Sequence, residues 1–478
     1  MRIRRRINFF MGAISFLCRN GTALVCTLVS LFYSDREGVM GMRKVWRNRL
    51  RPALAALLAV GTAAILMQAL PERADAAGET AGADGVYRIV ALGDSLAAGY
   101  EYGMEKQANP VPYGFVERVW EQTLIRGYRA EFSNYGIIGL RTEGLEKLLA
   151  RAERGEGSGD QDLLAEGQEA FVDPRINSLV GDGEAVRRNI ERADLILIQV
   201  GGNDFINYAL ALDAGRTKEA DDMLTDILDR IGSSLETSVR TIHRINPDAL
   251  VVIGDQFSPV PKKILNREIA YYDKLQDAVK LLTDRLEELS ARFAAEDRDV
   301  RVAHSAGRFV GKELTMTTML AAGIQGERSA IHPNQNGYDA MGRAFAEAVW
   351  GEYREPSPRE EDVPITIFVN GKELKPGNAK PLVRNSYTFL VLRDIADALK
   401  ADLAWDNKTK SATFTLKGRK VVLTPGSSVM TVNGEPRTIP AAPFAEGGRT
   451  YVPLGALSDA LGFDVVYRNT LKTAFING

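Results

Sequence analysis

Cysteine is nearly absent from this chain: its 478 residues hold two, Cys18 and Cys26, both near the N-terminus. Everything after Cys26 therefore has neither a disulfide framework nor a thiol nucleophile. Histidine is almost as scarce. His243, His304 and His332 are widely separated and have no cysteine companions, so a histidine-rich metal centre is excluded as a reading, and no metal or cofactor is expected. Charge of one sign is missing too: 60 Lys/Arg stand against 62 Asp/Glu, a net of −2. That balance does not fit a general nucleic-acid binder.

The neutral total hides a split. Residues 1–76 carry twelve Lys/Arg against four Asp/Glu, which leaves 48 against 58 in the remainder. A basic, apolar leader before an acidic body reads as export. "MRKVWRNRLRP" is a basic n-region and "ALAALLAVGTAAILMQAL" an apolar h-region. Ala74 and Ala76 are the small residues of a cleavage site after Ala76. Residues 42–76 thus read as a signal peptide, and 1–41 as an extension ahead of the true start. The expected location is secreted or cell-surface. The 18-residue run from Ala53 to Leu70 approaches spanning length, so an uncleaved leader would leave a membrane anchor.

From residue 85 to 353, short apolar runs alternate with longer amphipathic ones. "YRIVALG", "AEFSNYG", "LILIQVGG", "ALVVIGD" and "VRVAH" read as buried strands. The clearest helix is expected over Lys262 to Asp297, where Ile269, Tyr272, Leu275, Val279, Leu282, Leu286, Leu289 and Phe293 recur at three and four. The alternation predicts an α/β domain with a parallel sheet covered on both faces. The charged, Gly-rich stretch from Arg151 to Arg192 reads as a solvated insertion, able to serve in part as a lid. "EYREPSPREEDVP" then supplies a linker, taken as residues 354–364.

Beyond the linker, residues 365–478 contain an internal repeat at an offset of 62. "TFLVLRDIADALKADLAWDNKTKSA" from Thr388 aligns with "TYVPLGALSDALGFDVVYRNTLKTA" from Thr450. Each copy reads as strand, helix, strand and hairpin, and one copy alone could hardly bury its apolar face. This small α+β repeat unit resembles the copper amine oxidase N-terminal-like domain, a stalk module of secreted bacterial proteins. No histidine follows His332, so neither copper nor amine oxidation is expected from it. The resemblance implies a cell-wall or surface contact for these repeats.

"VALGDSLAAGY", Val90 to Tyr100, places a serine where the first strand runs into an expected helix. In an open parallel sheet, ligands bind beyond the carboxyl ends of the strands. Ser95 lies on that edge, with small neighbours that leave room for an acyl group. Asp94 reads as structural, tying the turn through backbone N–H groups. Three further loops fall on the same edge: "NYGIIGLRT" with Gly139 follows the second strand, "VGGNDF" with Asn203 follows the third, and "AIHPNQNGY" with His332 lies just before the final helix. In this order the four resemble the SGNH (GDSL) hydrolase family over residues 87–350. The resemblance implies a three-layer α/β/α, flavodoxin-like fold and a lipase or esterase activity on a lipid or acylated saccharide.

The resemblance also implies roles. Ser95 is the nucleophile and His332 its base. The N–H groups of Ser95 and Gly139 and the amide of Asn203 form an oxyanion hole. The family's pattern has an aspartate three residues before the histidine; here Ser329 stands there, in "GERSAIHPN". Ser329, or Glu327 from the same loop, is expected to orient the imidazole. The alternative is a weak or inactive envelope-associated binding protein that keeps a degenerate SGNH fold. His243 and His304 read as structural, His304 being the nearer to the site.

Overall fold

The computed structural model describes residues 84–164, 173–319, 331–375 and 380–478. The leader, with its signal-peptide and anchor readings, lies outside the described residues, as do Glu327 and Ser329. Among the described residues, no helix is long and apolar enough to cross a membrane.

Five strands form the central sheet: β1 (Val86–Gly93), β2 (Arg129–Gly136), β3 (Leu195–Gln199), β4 (Leu250–Gly254) and β5 (Val300–Ala303). All pair in parallel, in the order β2-β1-β3-β4-β5. Each coincides with one of the expected runs. β3 and β4 are buried along their whole length, which is why they read as unbroken apolar runs rather than alternating ones.

Side chains leave the sheet alternately to two cores. Val90, Leu92, Ile196, Ile198, Val251 and Ile253 face one side. They meet α2 (Thr142–Glu153), α3 (Gly183–Glu191), α5 (Thr217–Ile245) and α6 (Tyr272–Ala295). Ile89, Ala91, Leu195, Leu197 and Val252 face the other, against α1 (Phe115–Ile125) and α7 (Gln335–Trp350). A short helix, α4 (Ile206–Asp213), follows β3. The result is the three-layer α/β/α architecture the sequence implies.

Three expectations change. α6 begins at Tyr272, because the residues before it form a small exposed hairpin, Lys263–Ile264 with Arg267–Glu268. No helix starts at Ser95: residues 94–100 make one tight turn, closed by Ala98 N–H to Asp94 O (3.0 Å) and Tyr100 N–H to Ser95 O (3.0 Å). Arg151 to Arg192 is not simply a solvated insertion. Its Leu163, Ile176, Val180, Val186 and Ile190 are buried in the first core.

The C-terminal unit is built of β6 (Thr366–Val369), β7 (Lys372–Glu373), β8 (Leu382–Arg384), β9 (Tyr387–Val391), α8 (Leu392–Leu399), β10 (Asp402–Asp406), β11 (Ser411–Leu416), β12 (Arg419–Leu423), β13 (Val429–Val432) and β14 (Glu435–Thr438). β15 (Phe444–Glu446), β16 (Arg449–Pro453), α9 (Leu454–Leu461), β17 (Asp464–Arg468) and β18 (Thr473–Asn477) complete it. Both repeats have the expected form: β9-α8-β10-β11 matches β16-α9-β17-β18. Their strands join three sheets, β8-β9-β16-β15, β10-β11-β12-β13-β14 and β17-β18-β6-β7, around one shared core.

This unit does not hang free. Phe368 of β6 and Phe475 of β18 bury against Leu124 and Ile125 at the end of α1. Asn477 Nδ2 donates to the carbonyls of Leu124 (3.0 Å) and Tyr128 (2.8 Å). Gly127 and Gly371 bring two backbones into contact; a Cβ on Gly127 would lie 2.6 Å from the Asn370 carbonyl carbon.

Candidate active site

The site begins with what allows a serine to sit at the end of β1. Gly93 has φ +137°, and a Cβ there would lie 1.9 Å from the Gln199 carbonyl oxygen of β3. Only glycine fits this approach. Past it, Asp94 N–H donates to Gln199 O (2.9 Å) and the chain turns out of the sheet. Asp94 Oδ1 accepts from Leu96 N–H (2.9 Å), the structural part read for it from the sequence. Asn134 on β2 pins the turn from the side, donating to Ala97 O (2.7 Å). Ser95 is thus held on every side and is 7% exposed.

His332 Nε2 lies 2.9 Å from Ser95 Oγ. The loop carrying it is fixed by Thr318 N–H to His332 O (2.9 Å) and Asn334 N–H to Met316 O (2.9 Å). Asn334 then caps α7, accepting from the N–H groups of Asn336 (2.9 Å) and Gly337 (3.2 Å). The Tyr100 ring meets the imidazole edge-on at 4.6 Å. Tyr338, fully buried in α7, donates to Tyr100 O (2.6 Å) and so fixes that ring's backbone. Sequence reasoning gave neither tyrosine a part, although Tyr100 closes "VALGDSLAAGY" and Tyr338 closes "AIHPNQNGY", because a ring contact made across the fold leaves no local signal.

The donors of the expected oxyanion hole come from two more loops. Gly139, at φ +84°, occupies a turn after β2. Asn203 opens off β3 in a short turn of helix, Gly202–Phe205. Asn203 Nδ2 donates to Leu140 O (2.9 Å), so the amide is anchored one residue from Gly139. That bond uses one of its two N–H groups and leaves the other to donate. Among the described residues nothing accepts from the Ser95 N–H. The four residues therefore converge on the carboxyl edge of the sheet.

Two buried carboxylates lie behind these loops. Burial pushes Asp94 up to about 7, with Asp204 adding to the rise and the Leu96 N–H opposing it. Burial raises Asp204 as well, against hydrogen bonds from Thr142 N–H (3.2 Å) and Thr142 Oγ (2.9 Å). The Asp204–Thr142 pair ties the Asn203 turn to the start of α2.

The other histidines lie apart from this contact. His243 is buried, with Nε2 3.3 Å from Ala249 O. His304 is exposed and pairs with Glu287 of α6 at 2.8 Å. Among the described residues, no group of three or more His, Cys, Asp or Glu is placed to hold a metal ion.

The model of the family described as GDSL-like Lipase/Acylhydrolase matches residues 89–345, more than half of the chain. The chain belongs to that family. It is accordingly a hydrolase of the esterase/acylhydrolase class. The Copper amine oxidase N-terminal domain matches residues 368–476. No curated protein matches the chain. Among solved structures, it is similar to the lipase Lip_vut3 from a goat rumen metagenome, at 18% identity and a TM-score of 0.37, covering 56% of this chain and 100% of that one. It is also similar to Axe2, an acetylxylan esterase from Geobacillus stearothermophilus, at 16% identity and a TM-score of 0.33, covering 56% and 96%. A family 3 carbohydrate esterase from Clostridium thermocellum follows at 11% identity and a TM-score of 0.31, covering 55% and 94%.

Proposed function

We propose that this GDSL-like hydrolase is an exported serine esterase that cleaves acyl esters, acetyl esters among them, through Ser95 and His332. The observation that carries the reading is the 2.9 Å contact between Ser95 Oγ and His332 Nε2. At that distance the neutral imidazole takes the hydroxyl proton as Oγ attacks the ester carbonyl carbon. The oxyanion so formed is met by the N–H groups of Ser95 and Gly139 and by the Asn203 amide. Its collapse expels the alcohol, which takes the proton back from His332 and leaves an acyl group on Ser95. Water, deprotonated by the same imidazole, then releases the acid and restores the serine.

A hydroxyl is a poor nucleophile without its base, so an unpaired serine in this position would do nothing. Ser329 or Glu327 is the proposed orienting group for His332. Export is supported by the basic n-region, apolar h-region and small residues of the leader. A fluorophosphonate probe tests the nucleophile: mass spectrometry should find the adduct on the peptide containing Ser95. An adduct elsewhere, or none on folded protein, would contradict the mechanism.

A further inference from the structure

The exposed apolar side chains of the hydrolase domain are unevenly placed. Among the described residues, every large one except Leu281, midway along α6, belongs to a connection from a strand to the helix that follows it. Ile206 and Leu210 lie on α4, Ile264 and Leu265 in the hairpin before α6, and Val310 and Ile331 between β5 and α7. In a parallel sheet such connections all leave the carboxyl edge, which here carries Ser95. The turns at the opposite edge, 126–128, 192–194, 246–249 and 296–299, expose none.

Hydrogen bonds join these connections to one another and to the site. Tyr271, at the foot of the hairpin, donates to Asp213 of α4 (2.9 Å). α4 itself starts three residues after Asn203. Tyr272 donates to Glu313 (3.1 Å), three residues past Val310. Asn334 N–H to Met316 O (2.9 Å) then closes that segment onto the loop of His332, whose neighbour is Ile331. The exposed apolar side chains thus stand on elements tied to those that carry Asn203 and His332.

The hairpin is the most pronounced of them. Residues 262–268, "KKILNRE", are exposed without a break. Leu265 is 91% exposed and sits at φ +54°, the only apolar side chain among the described non-glycine residues of positive φ. Asn, Asp or Gly would take that conformation with less strain and better hydration. A strained apolar tip held out into water points to a contact made there. Beside it stand Lys262, Lys263 and Arg267 against one acid, Glu268. Lys263 occupies Glu268 (2.9 Å), whereas among the described residues no ion pair engages Lys262 or Arg267. The acids of the adjoining elements, Asp213 and Glu313, are held by the two tyrosines. An apolar tip flanked by free cations complements a bilayer with anionic head groups: the cations meet the phosphates and the leucine enters the acyl boundary. Pairing two such tips in a dimer would instead set like charges together.

We propose that the Leu265 hairpin, with the apolar side chains of the neighbouring connections, docks the protein on an anionic phospholipid bilayer. Docking by this face turns the Ser95 edge toward the lipid, so that esters held at the bilayer surface are presented to it. That consequence rests on the esterase reading; the docking itself does not.

Vesicle flotation tests the docking on the Ser95→Ala chain from Ala77, which keeps every described residue. The chain should float with phosphatidylcholine vesicles that contain phosphatidylglycerol, and about tenfold less with phosphatidylcholine alone. Added salt should weaken the binding. Leu265→Asn should cut the partition about tenfold. Its unfolding temperature should equal or exceed the parent's, because asparagine accepts φ +54° more readily. Arg267→Gln should cut the partition about fivefold, and Leu281→Asn, on α6, should leave it unaltered. Absence of binding, equal binding to neutral and anionic vesicles, or binding that survives both Leu265→Asn and Arg267→Gln would overturn the docking. So would a dimer, seen by light scattering, that Leu265→Asn dissolves while no vesicle is bound; the hairpin would then serve a second copy. Flotation reads no turnover, so a failure of the esterase reading would leave its result standing.

Discussion

Arg468 of the last repeat donates through Nε to Glu121 of α1 at 2.7 Å, and Glu121 is 1% exposed. A carboxylate buried that deeply needs a partner. Burial pushes Glu121 up, while Arg468 and the Tyr113 hydroxyl draw it back. Arg468→Ala should therefore destabilise the protein by about 3 kcal/mol. The deficit should shrink in acid, where Glu121 takes up a proton, and grow as pH rises through its folded range. Denaturant unfolding of both proteins at a series of pH values measures it.

The same interface governs truncation. A stalk that only tethered the enzyme could be removed with no loss. Here, deleting residues 364–478 would bare Leu124 and Ile125 and leave Glu121 without Arg468. The shortened chain should aggregate or unfold at a temperature several degrees lower, read by scanning calorimetry. Unchanged thermal stability would show that the packing contributes nothing.

Asp94 sets a pH dependence of stability. Its folded value of about 7 stands above the ordinary 3.8 because it is buried. Below the lower value both the folded and unfolded chains hold the proton, and its contribution is complete. Between the two, only the folded chain holds it, so stability falls by roughly 1 kcal/mol per pH unit. Above about 7 the loss is complete. Asp94→Asn keeps an oxygen for the Leu96 N–H and removes the titration. Its stability should run flatter between these limits, as equilibrium unfolding would reveal.

Asn203→Ala removes one donor of the proposed oxyanion hole. The expected loss is about 100- to 1000-fold in kcat with KM little altered, since the donor acts on charge that develops in the transition state. Steady-state kinetics on a soluble acetyl ester would measure both constants. A rise in KM with kcat retained would place the amide in ground-state binding.

Much of this arrangement is legible in the sequence. Strands β3 and β4 announce themselves because burial on both faces demands unbroken apolar residues; Ser95, Gly139 and Asn203 each stand just past a recognisable strand, and His332 just before a recognisable helix. What escaped is non-local or masked by its neighbours. Ile176 and Val180 are one turn apart, as are Val186 and Ile190, but they sit on two short helices, Ile176–Val180 and Gly183–Glu191, and Glu184, Arg187, Arg188 and Glu191 crowd the second, so no sustained period shows. The hairpin before α6 has two-residue strands, too short to display a period, so Ile269 was absorbed into the helix. Glu121 and Arg468 lie 347 residues apart, and no local signal marks a partner at that distance.

Gly93→Ala should fail outright. The added Cβ would enter the Gln199 carbonyl at 1.9 Å and require φ +137°, so β1 and β3 could keep their register only by distorting the turn that carries Ser95. Expression should give little folded protein, judged by circular dichroism and solubility.

The most direct test of the central claim is the rate of p-nitrophenyl acetate hydrolysis by the chain from Ala77, beside its Ser95→Ala and His332→Ala variants. Turnover by the parent chain that drops to background in both variants, each folded, is the predicted result. Equal rates in all three would contradict the Ser95–His332 mechanism.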